Sequence, residues 1–168
     1  MSLKNPQLWI ASAKEAWKLT FNVAKFFCAV HVVDKYICSI AWVHGPSMLP
    51  TFNLTGNLVL VDRISTRFGG LRSDDIVIVR SPVKPRGMIT KRLIGMEGES
   101  INYVLDPKNR DECAKTVVPK GYVWIEGDNI YASRDSRLYG AIPYGLLQGK
   151  VIWKLWPPED FGSVARRR

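Results

Sequence analysis

Two patterns of apolar residues divide the chain near residue 43. From Gln7 to Val43 there is no glycine or proline, and apolar residues recur among scattered lysines. A stretch without helix breakers predicts one N-terminal helical segment, residues 1–43. Beyond it, glycine and proline recur every few residues between short β-branched runs, which predicts a β domain over residues 44–160. Residues 161–168 form a basic C-terminal tail that ends in three arginines.

Short runs of β-branched and aromatic residues predict the strands of this second part. They are bounded by turn-forming residues, such as Gly69–Gly70 and the segment from Pro82 to Gly87. The predicted strands are Asn57–Val61, Asp75–Arg80, Met88–Ile94, Glu99–Val104, Thr116–Val118, Tyr122–Glu126 and Lys150–Leu155. The sequence therefore predicts a mainly β fold that follows a helix.

Charged residues interrupt the apolar half of the helical segment. A membrane-spanning helix needs about 20 consecutive apolar residues without charge. Lys25, Asp34 and Lys35 prevent the segment from having such a run. Its longest charge-free pieces are Phe26–Val33 and Tyr36–Ser47. Three interpretations stay open: a poor transmembrane helix, an amphipathic helix lying on a membrane, and a helix packed on its own domain. A secretory signal peptide is disfavoured, because no compact apolar run leads to a small-residue cleavage site.

Composition excludes several functional classes. The chain has 168 residues, 46% of them apolar, which suits one folded domain with an appendage and excludes global disorder. Its net charge of +9 is spread along the sequence, and no phosphate-binding or zinc-finger motif accompanies it, so nucleic-acid binding is disfavoured. Three cysteines without a CxxC pair predict neither a disulfide framework nor a metal site.

The shortage of histidine restricts the kinds of hydrolase that the chain can be. A Ser-His-Asp or Cys-His enzyme would have to use His31, which lies in an apolar stretch, or His44. A hydrolase with this sequence is therefore expected to take its general base from another residue type.

Lys91 is the candidate base. In a strand, Ile89, Lys91 and Leu93 share one face, so the amine lies between apolar neighbours. Burial of this kind lowers a lysine pKa from about 10.4 towards neutrality, so that the neutral amine can take a proton from a serine hydroxyl. The alternative is an edge-strand lysine with its ammonium in water.

Two further motifs contain candidate chemistry. Gly45–Thr51 (GPSMLPT) presents Ser47 on a backbone restricted by glycine and prolines, as a nucleophile requires, although an ordinary turn would have the same composition. Gly127–Gly140 (GDNIYASRDSRLYG) is dense in hydrogen-bonding and charged side chains, which suits a loop that holds a catalytic group in place or a solvated polar turn.

Together the three motifs resemble those of the type I signal peptidases. The shared order is GPSMxPT, then Lys91-Arg92 followed by a glycine-acid-glycine turn, then GDNxxxSxDSRxxG. Within that family, the shortness of the chain and its overall resemblance point to the mitochondrial inner membrane protease subunits. The related signal peptidases of the endoplasmic reticulum have histidine at the lysine position, so that branch is disfavoured.

The resemblance implies a Ser-Lys dyad. Ser47 would be the nucleophile and would offer its backbone N–H to the oxyanion, while Lys91 would be the general base and then the acid for the leaving amine. Met48 would lie beside the nucleophile and shape the substrate pockets. Gly45 occupies the position where some bacterial members have a serine that donates to the oxyanion, so the second donor stays unassigned.

Further residues of the motifs would support the dyad. The resemblance implies that Ser133 orients the lysine through a hydrogen bond. It implies that Asp135 pairs with Arg137 and also with Arg92, and that Asp128 has a structural role.

The implied activity is that of a membrane-bound serine endopeptidase without metal or cofactor. It would remove N-terminal sorting or signal peptides from precursor proteins delivered to the mitochondrial intermembrane space. The resemblance further implies a heterodimer with a second, related catalytic subunit at the mitochondrial inner membrane, with the catalytic domain facing the intermembrane space. The sequence specifies neither the precursors nor the residue preferred before the cut.

Two alternatives remain open. A self-cleaving Ser-Lys protease of the repressor type would need a DNA-binding domain upstream, and the N-terminal stretch has no helix-turn-helix pattern. A non-catalytic membrane scaffold that supports a partner protease is disfavoured by the intact Ser47, Lys91 and Ser133.

Overall fold

The N-terminal segment forms a helix and then a strand. The structure, a computed structural model, describes residues 6–84, 86–106 and 109–164. Helix α1 spans Pro6–Val32, a π-helical turn follows at Val33–Ile37, and strand β1 spans Cys38–Val43. The predicted extension of the helix to Val43 is therefore wrong. Residues 38–43 pair with β2, the next strand, and bury alternate side chains. The sequence contains no helix breaker here, so it is the pairing with β2 that makes these residues a strand.

A curved antiparallel sheet forms most of the molecule. Its order is β1-β2-β9-β3-β4-β7-β8, with β10 paired to β9, and β5 and β6 form a separate hairpin. Besides β1, the strands in the described ranges are β2 Asn57–Asp62, β3 Ile76–Arg80, β4 Met88–Gly95, β5 Ser100–Asp106, β6 Asn109–Val117, β7 Tyr122–Glu126, β8 Ile142–Pro143, β9 Leu147–Trp156 and β10 Gly162–Ser163. The predicted mainly β fold is confirmed.

Each predicted strand is present. Tyr122–Glu126 has the predicted ends, and the other strands have shifted ends. The largest difference is at Thr116–Val118, which is only the end of β6. The sequence missed β1 and the two-residue strands β8 and β10, of which β10 lies in the predicted tail. The three terminal arginines of that tail and Pro85 of the predicted loop lie outside the described residues.

Two apolar clusters lie on opposite faces of β3, because its successive side chains alternate between them. Strand β2 alternates strictly between buried and half-buried residues, which places Val59 and Val61 in the first cluster with Ile76 and Ile78 of β3. The second cluster contains the following: Leu71, Val77, Val79, Leu93, Val123, Ile125, Ile142 and Leu147. Strand β4 therefore has apolar packing close to its charged residues.

Helix α1 lies outside this core. Every side chain described in residues 9–32 is exposed, including Trp17 at 72% and Phe26 at 64%. The alternative of a helix packed on its own domain is therefore wrong. Among the described residues, no helix combines the length and the apolar content needed to cross a membrane.

Candidate active site

Ser47 lies in a short 3₁₀ turn, Pro46–Met48, directly after β1. The preceding Gly45 has φ +105°, a region that favours glycine, and this sharp change of direction brings the serine to the surface of the sheet. The next side chain, Met48, is 2% exposed and packs with Phe52 in the first apolar cluster. The buried neighbour anchors the turn, so the half-buried Ser47 is held in one position.

Contacts from distant parts of the chain hold the remainder of this loop. The Thr51 hydroxyl donates to Asp128, and the Thr51 carbonyl accepts from Lys154 Nζ at 2.6 Å. The Asn53 amide donates to Asp160 at 2.6 Å. The sequence analysis did not identify Lys154 or Asp160, because nothing in the linear pattern near β9 marks them as partners of the Ser47 loop.

Lys91 is buried in the middle of β4. It lies opposite Val77 of β3, shares its face with Ile89 and Leu93, and is 3% exposed. The alternative of a lysine with its ammonium in water is therefore wrong. Its Nζ donates to Ser133 Oγ at 2.8 Å. Burial lowers the pKa of Lys91 below 10.5, against an opposing effect from the Asp135 carboxylate.

Ser133 links this lysine to a buried carboxylate. Its hydroxyl donates to Asp135 at 2.5 Å, and Asp135 also accepts from the Gly127 N–H at 2.8 Å and from Arg137 at 2.6 Å. Burial alone would raise the pKa of Asp135, but the hydrogen bonds from Arg137, Ser133 and Gly127 outweigh it and lower that pKa. Because Asp135 stays ionised and accepts the hydrogen bond from the Ser133 hydroxyl, the Ser133 oxygen is left to accept from Lys91. The predicted contacts of Ser133 with the lysine and of Asp135 with Arg137 are present.

Arg92 has a different partner from the one predicted. Its guanidinium binds Asp128 through two hydrogen bonds of 2.8 and 2.7 Å, and a third, of 2.9 Å, reaches the Asp74 carbonyl. Within the described ranges, no hydrogen bond or ion pair joins Arg92 to Asp135, so that part of the prediction is wrong. Successive side chains of a strand point to opposite faces, and Arg92 therefore lies on the other side of β4 from Lys91.

The first residues of the motif Gly127–Gly140 contact the loop that contains Ser47. A Cβ built on Gly127 would clash with the Ser133 hydroxyl and would lie 2.6 Å from the Ser47 carbonyl oxygen. The Asn129 N–H donates to that same carbonyl at 3.1 Å. Only a residue without a side chain fits at Gly127, because the loops of Ser47 and Ser133 meet there. The sequence analysis noted both residues in the motif but assigned them no role.

Ser136 is a third residue of this motif to which the sequence pattern assigned no role. It is 1% exposed, and its hydroxyl accepts from the Ile125 N–H at 3.0 Å. The bond fixes a short helix, Ser136–Tyr139, against the end of β7. Nothing in the sequence distinguishes Ser136 from the other serine of the motif, Ser133, so its role could not be predicted.

The Ser47 hydroxyl itself makes no hydrogen bond within the described ranges, and none joins it to Lys91. In enzymes without substrate, catalytic hydrogen bonds are often long and shorten in the complex. The two side chains therefore have the chemistry of a nucleophile and a base. Ser47 lies in a loop and Lys91 in strand β4, and Gly127 and Ser133 connect the two.

A groove of about 400 Å³ leads to Ser47. One wall is β1 from Ser39 to Val43, the other is the start of β4 from Met88 to Thr90, and Met48 lies near Ser47 as predicted. In the described part of the chain, β1 pairs only with β2, and β7 pairs with β4 only from Arg92 onwards. Both walls thus present unpaired strand edges, to which an extended peptide can add through backbone hydrogen bonds.

The described residues contain no cluster of three or more His, Cys, Asp or Glu side chains that could hold a metal ion.

Comparison with known proteins agrees with the geometry of this site. The chain matches the family "Signal peptidase, peptidase S26" over residues 16–108 and 102–156. It is 51% identical over 156 residues to the mitochondrial ATP-independent inner membrane protease subunit 1a of Arabidopsis thaliana, covering 93% of both chains. It is 40% identical to the mitochondrial inner membrane protease subunit 1 of Mus musculus, covering 89% of both.

A solved structure, signal peptidase I from Enterococcus faecalis, aligns with 48% of this chain and 95% of its own, at 22% identity and a TM-score of 0.42. The family match extends over most of the sequence and includes all three motifs around Ser47, Lys91 and Ser133. The chain belongs to the signal peptidase family, peptidase S26.

Proposed function

We propose that this chain is a serine endopeptidase in which Ser47 is the nucleophile and Lys91 the general base. One observation carries the proposal: a buried lysine with a lowered pKa, fixed by Ser133, adjoins the Ser47 loop at the end of an open groove. A lysine in these surroundings provides the neutral amine that a serine nucleophile needs, and the enzyme requires no histidine for the purpose.

The reaction begins with an extended substrate that adds as a strand between the edges of β1 and β4. Ser47 Oγ attacks the scissile carbonyl carbon while its proton moves to Lys91 Nζ, and the Ser47 N–H donates to the resulting oxyanion. The tetrahedral intermediate collapses, the C–N bond breaks, and the Lys91 ammonium gives its proton to the leaving amine.

Hydrolysis of the acyl-enzyme repeats the sequence with water. Lys91, neutral again, takes a proton from a water molecule that attacks the ester carbon, and it returns the proton to Ser47 Oγ as the ester breaks. Throughout, Ser133 and Asp135 fix one N–H of the amine, so that the remaining positions on Nζ face the reacting groups. Asp128 holds Arg92 and Thr51, and through them the loop that contains Ser47.

The substrates we propose are precursor proteins with cleavable N-terminal sorting peptides. The relatives are named as mitochondrial inner membrane protease subunits, which supports a place at that membrane and in an assembly of related subunits. We propose a heterodimer with a second catalytic subunit, with the β domain facing the intermembrane space. Helix α1 would attach it to the membrane, and the exposed apolar side chains of this helix support the role.

The test uses the full chain reconstituted into phospholipid vesicles and a library of mitochondrial precursor peptides, with products identified by mass spectrometry. Wild type and the surface control Ser73→Ala are expected to cleave the same sites, and Ser47→Ala none. Cleavage by Ser47→Ala at the wild-type rate would contradict the assignment of the nucleophile. Absence of cleavage by the wild type, even with a related subunit added, would favour the non-catalytic scaffold.

A further inference from the structure

The end of the groove farthest from Ser47 contains a guanidinium group. Strand β1 runs from Cys38 to Val43, so Ser39 lies at the end away from the nucleophile turn. There Arg63 Nε donates to Ser39 Oγ at 3.0 Å, and Nη1 donates to the Gln148 carbonyl at 3.4 Å. All three residues line the groove. The far end is thus positively charged and held in place by β1 and β9.

This cation has no anionic partner in the described part of the chain. Among the side chains that the structure describes, no carboxylate lies within ion-pair distance of Arg63 and no acidic residue lines the groove. The adjacent Asp62 is engaged by the Ile64 N–H and by Ser65. Arg92 and Arg137, by contrast, are paired with carboxylates. A half-buried guanidinium bonded only to neutral oxygens retains donor capacity for a carboxylate.

The spacing of the groove sets where along a substrate this contact falls. A strand rises about 3.3 Å per residue, so the four steps from Ser39 to Val43 span roughly 13 Å. A peptide that lies along β1 with its scissile carbonyl at Ser47 therefore passes Arg63 about four to six residues from the scissile bond.

We propose that Arg63 binds the carboxylate of an aspartate or glutamate in the substrate, about four to six residues from the scissile bond on the flank that occupies the groove. This contact gives the protease a preference for precursors with an acidic residue at that position. The inference rests on the proposed endopeptidase function and extends it to one feature of the substrate.

The competing interpretation is that Arg63 only ties β1 to β9 through Ser39 and the Gln148 carbonyl. Loss of such a tie would lower the amount or the activity of folded enzyme, but it would affect acidic and neutral substrates equally. A ratio of two substrates measured with the same enzyme sample therefore separates the two roles.

The experiment uses the vesicle-reconstituted full chain and a cleavable peptide that has a single aspartate placed in turn at each position up to seven residues on either side of the bond. Each peptide is compared with its asparagine and lysine counterparts. For wild type we expect kcat/KM about tenfold higher for aspartate at one or two positions in the proposed range, mostly through KM. Arg63→Gln should reduce that ratio to near one, and Arg63→Glu should favour lysine there.

Arg67→Glu is the matched control. It changes the net charge by the same amount as Arg63→Glu, at a position four residues along the chain. Arg67 does not line the groove, and it donates to the Lys35 and Tyr36 carbonyls. It should keep the wild-type ratio. An aspartate preference that persists in Arg63→Gln, or a wild type that shows none, would overturn the proposal while leaving the endopeptidase function intact. A wild type that cleaves no peptide overturns the proposed function itself.

Discussion

Lys91 and Arg92 are adjacent on β4 and almost equally buried, with 3% and 1% exposure, yet their surroundings differ completely. On one face of the strand, Arg92 forms a bidentate ion pair with Asp128 and donates a further hydrogen bond to the Asp74 carbonyl. On the other face, Lys91 donates to a single hydroxyl, and the nearby Asp135 is directed towards Arg137 and Ser133.

The comparison shows how partners decide the role of a buried cation. Arginine stays protonated in proteins, so its burial requires a carboxylate, and the resulting pair connects loops. Lysine can release its proton when burial is not compensated, and it then becomes a base. One face of β4 is therefore structural and the other reactive, and exchange of the two residue types would disable both.

The largest effect is expected from removing the reactive amine. Lys91→Met should lower kcat about 10⁴-fold or more, because nucleophile and base act as a unit. The free energy of unfolding at neutral pH should be retained or raised. The pKa of Lys91 is lower in the folded chain than in the unfolded chain, so below pH 10.5 the unfolded chain binds the proton more strongly and folding is disfavoured. Methionine has no proton to bind and removes this destabilisation. Single-turnover cleavage and urea unfolding test both parts. A Lys91→Met variant that loses stability along with activity would contradict the claim that the Lys91 face of β4 is reactive and not structural.

Arg92→Met should give the opposite result, a loss of about 3–5 kcal/mol in the free energy of unfolding, because Asp128 is left buried without its counterion. Urea unfolding measures it. The double variant Arg92→Met with Asp128→Asn should recover part of the loss, since no buried carboxylate remains. Equal stability of Arg92→Met and wild type would show that the ion pair is not structural.

Gly127→Ala tests how closely the reactive face is positioned. The added methyl group would lie 2.6 Å from the Ser47 carbonyl oxygen and would overlap Ser133, so both groups must shift. A displacement of this size is expected to lower kcat about 100-fold. Gly145→Ala is the control, because a Cβ there meets nothing within 4 Å. Similar kcat values for the two variants would argue against close packing between the motifs.

The smallest effect is a change in pH dependence. The acid limb of kcat against pH should lie below 10.5, since burial lowers the pKa of Lys91. The Asp135 charge raises that pKa, so Asp135→Asn should move the limb to lower pH, together with a fall in kcat as Ser133 loses its charged acceptor. Glu97→Gln removes an exposed carboxylate and should leave the limb in place. A shift to higher pH in Asp135→Asn would contradict the assignment of Lys91.

The sequence predicted the elements that local signals define. Alternating β-branched runs between glycines and prolines located the main strands, and a lysine between apolar neighbours indicated a depressed pKa. Strand β1 was missed because an apolar run without breakers suits helix or strand equally, and pairing with β2 decides. The partner of Arg92 was wrong because motif resemblance gives residue types without their pairing. Contacts such as Lys154 with Thr51 join residues 103 positions apart and have no local signal.

The two open strand edges of the groove have a further consequence for handling the protein. Unpaired backbone groups accept any extended chain, including a strand from a second copy, so concentrated enzyme without substrate is exposed to edge-to-edge association. The protein's own chain cannot cover these edges permanently, because the same edges must receive the precursor. A cleavage-resistant peptide bound between Ser39–Val43 and Met88–Thr90 would block that association and keep the purified protein monomeric.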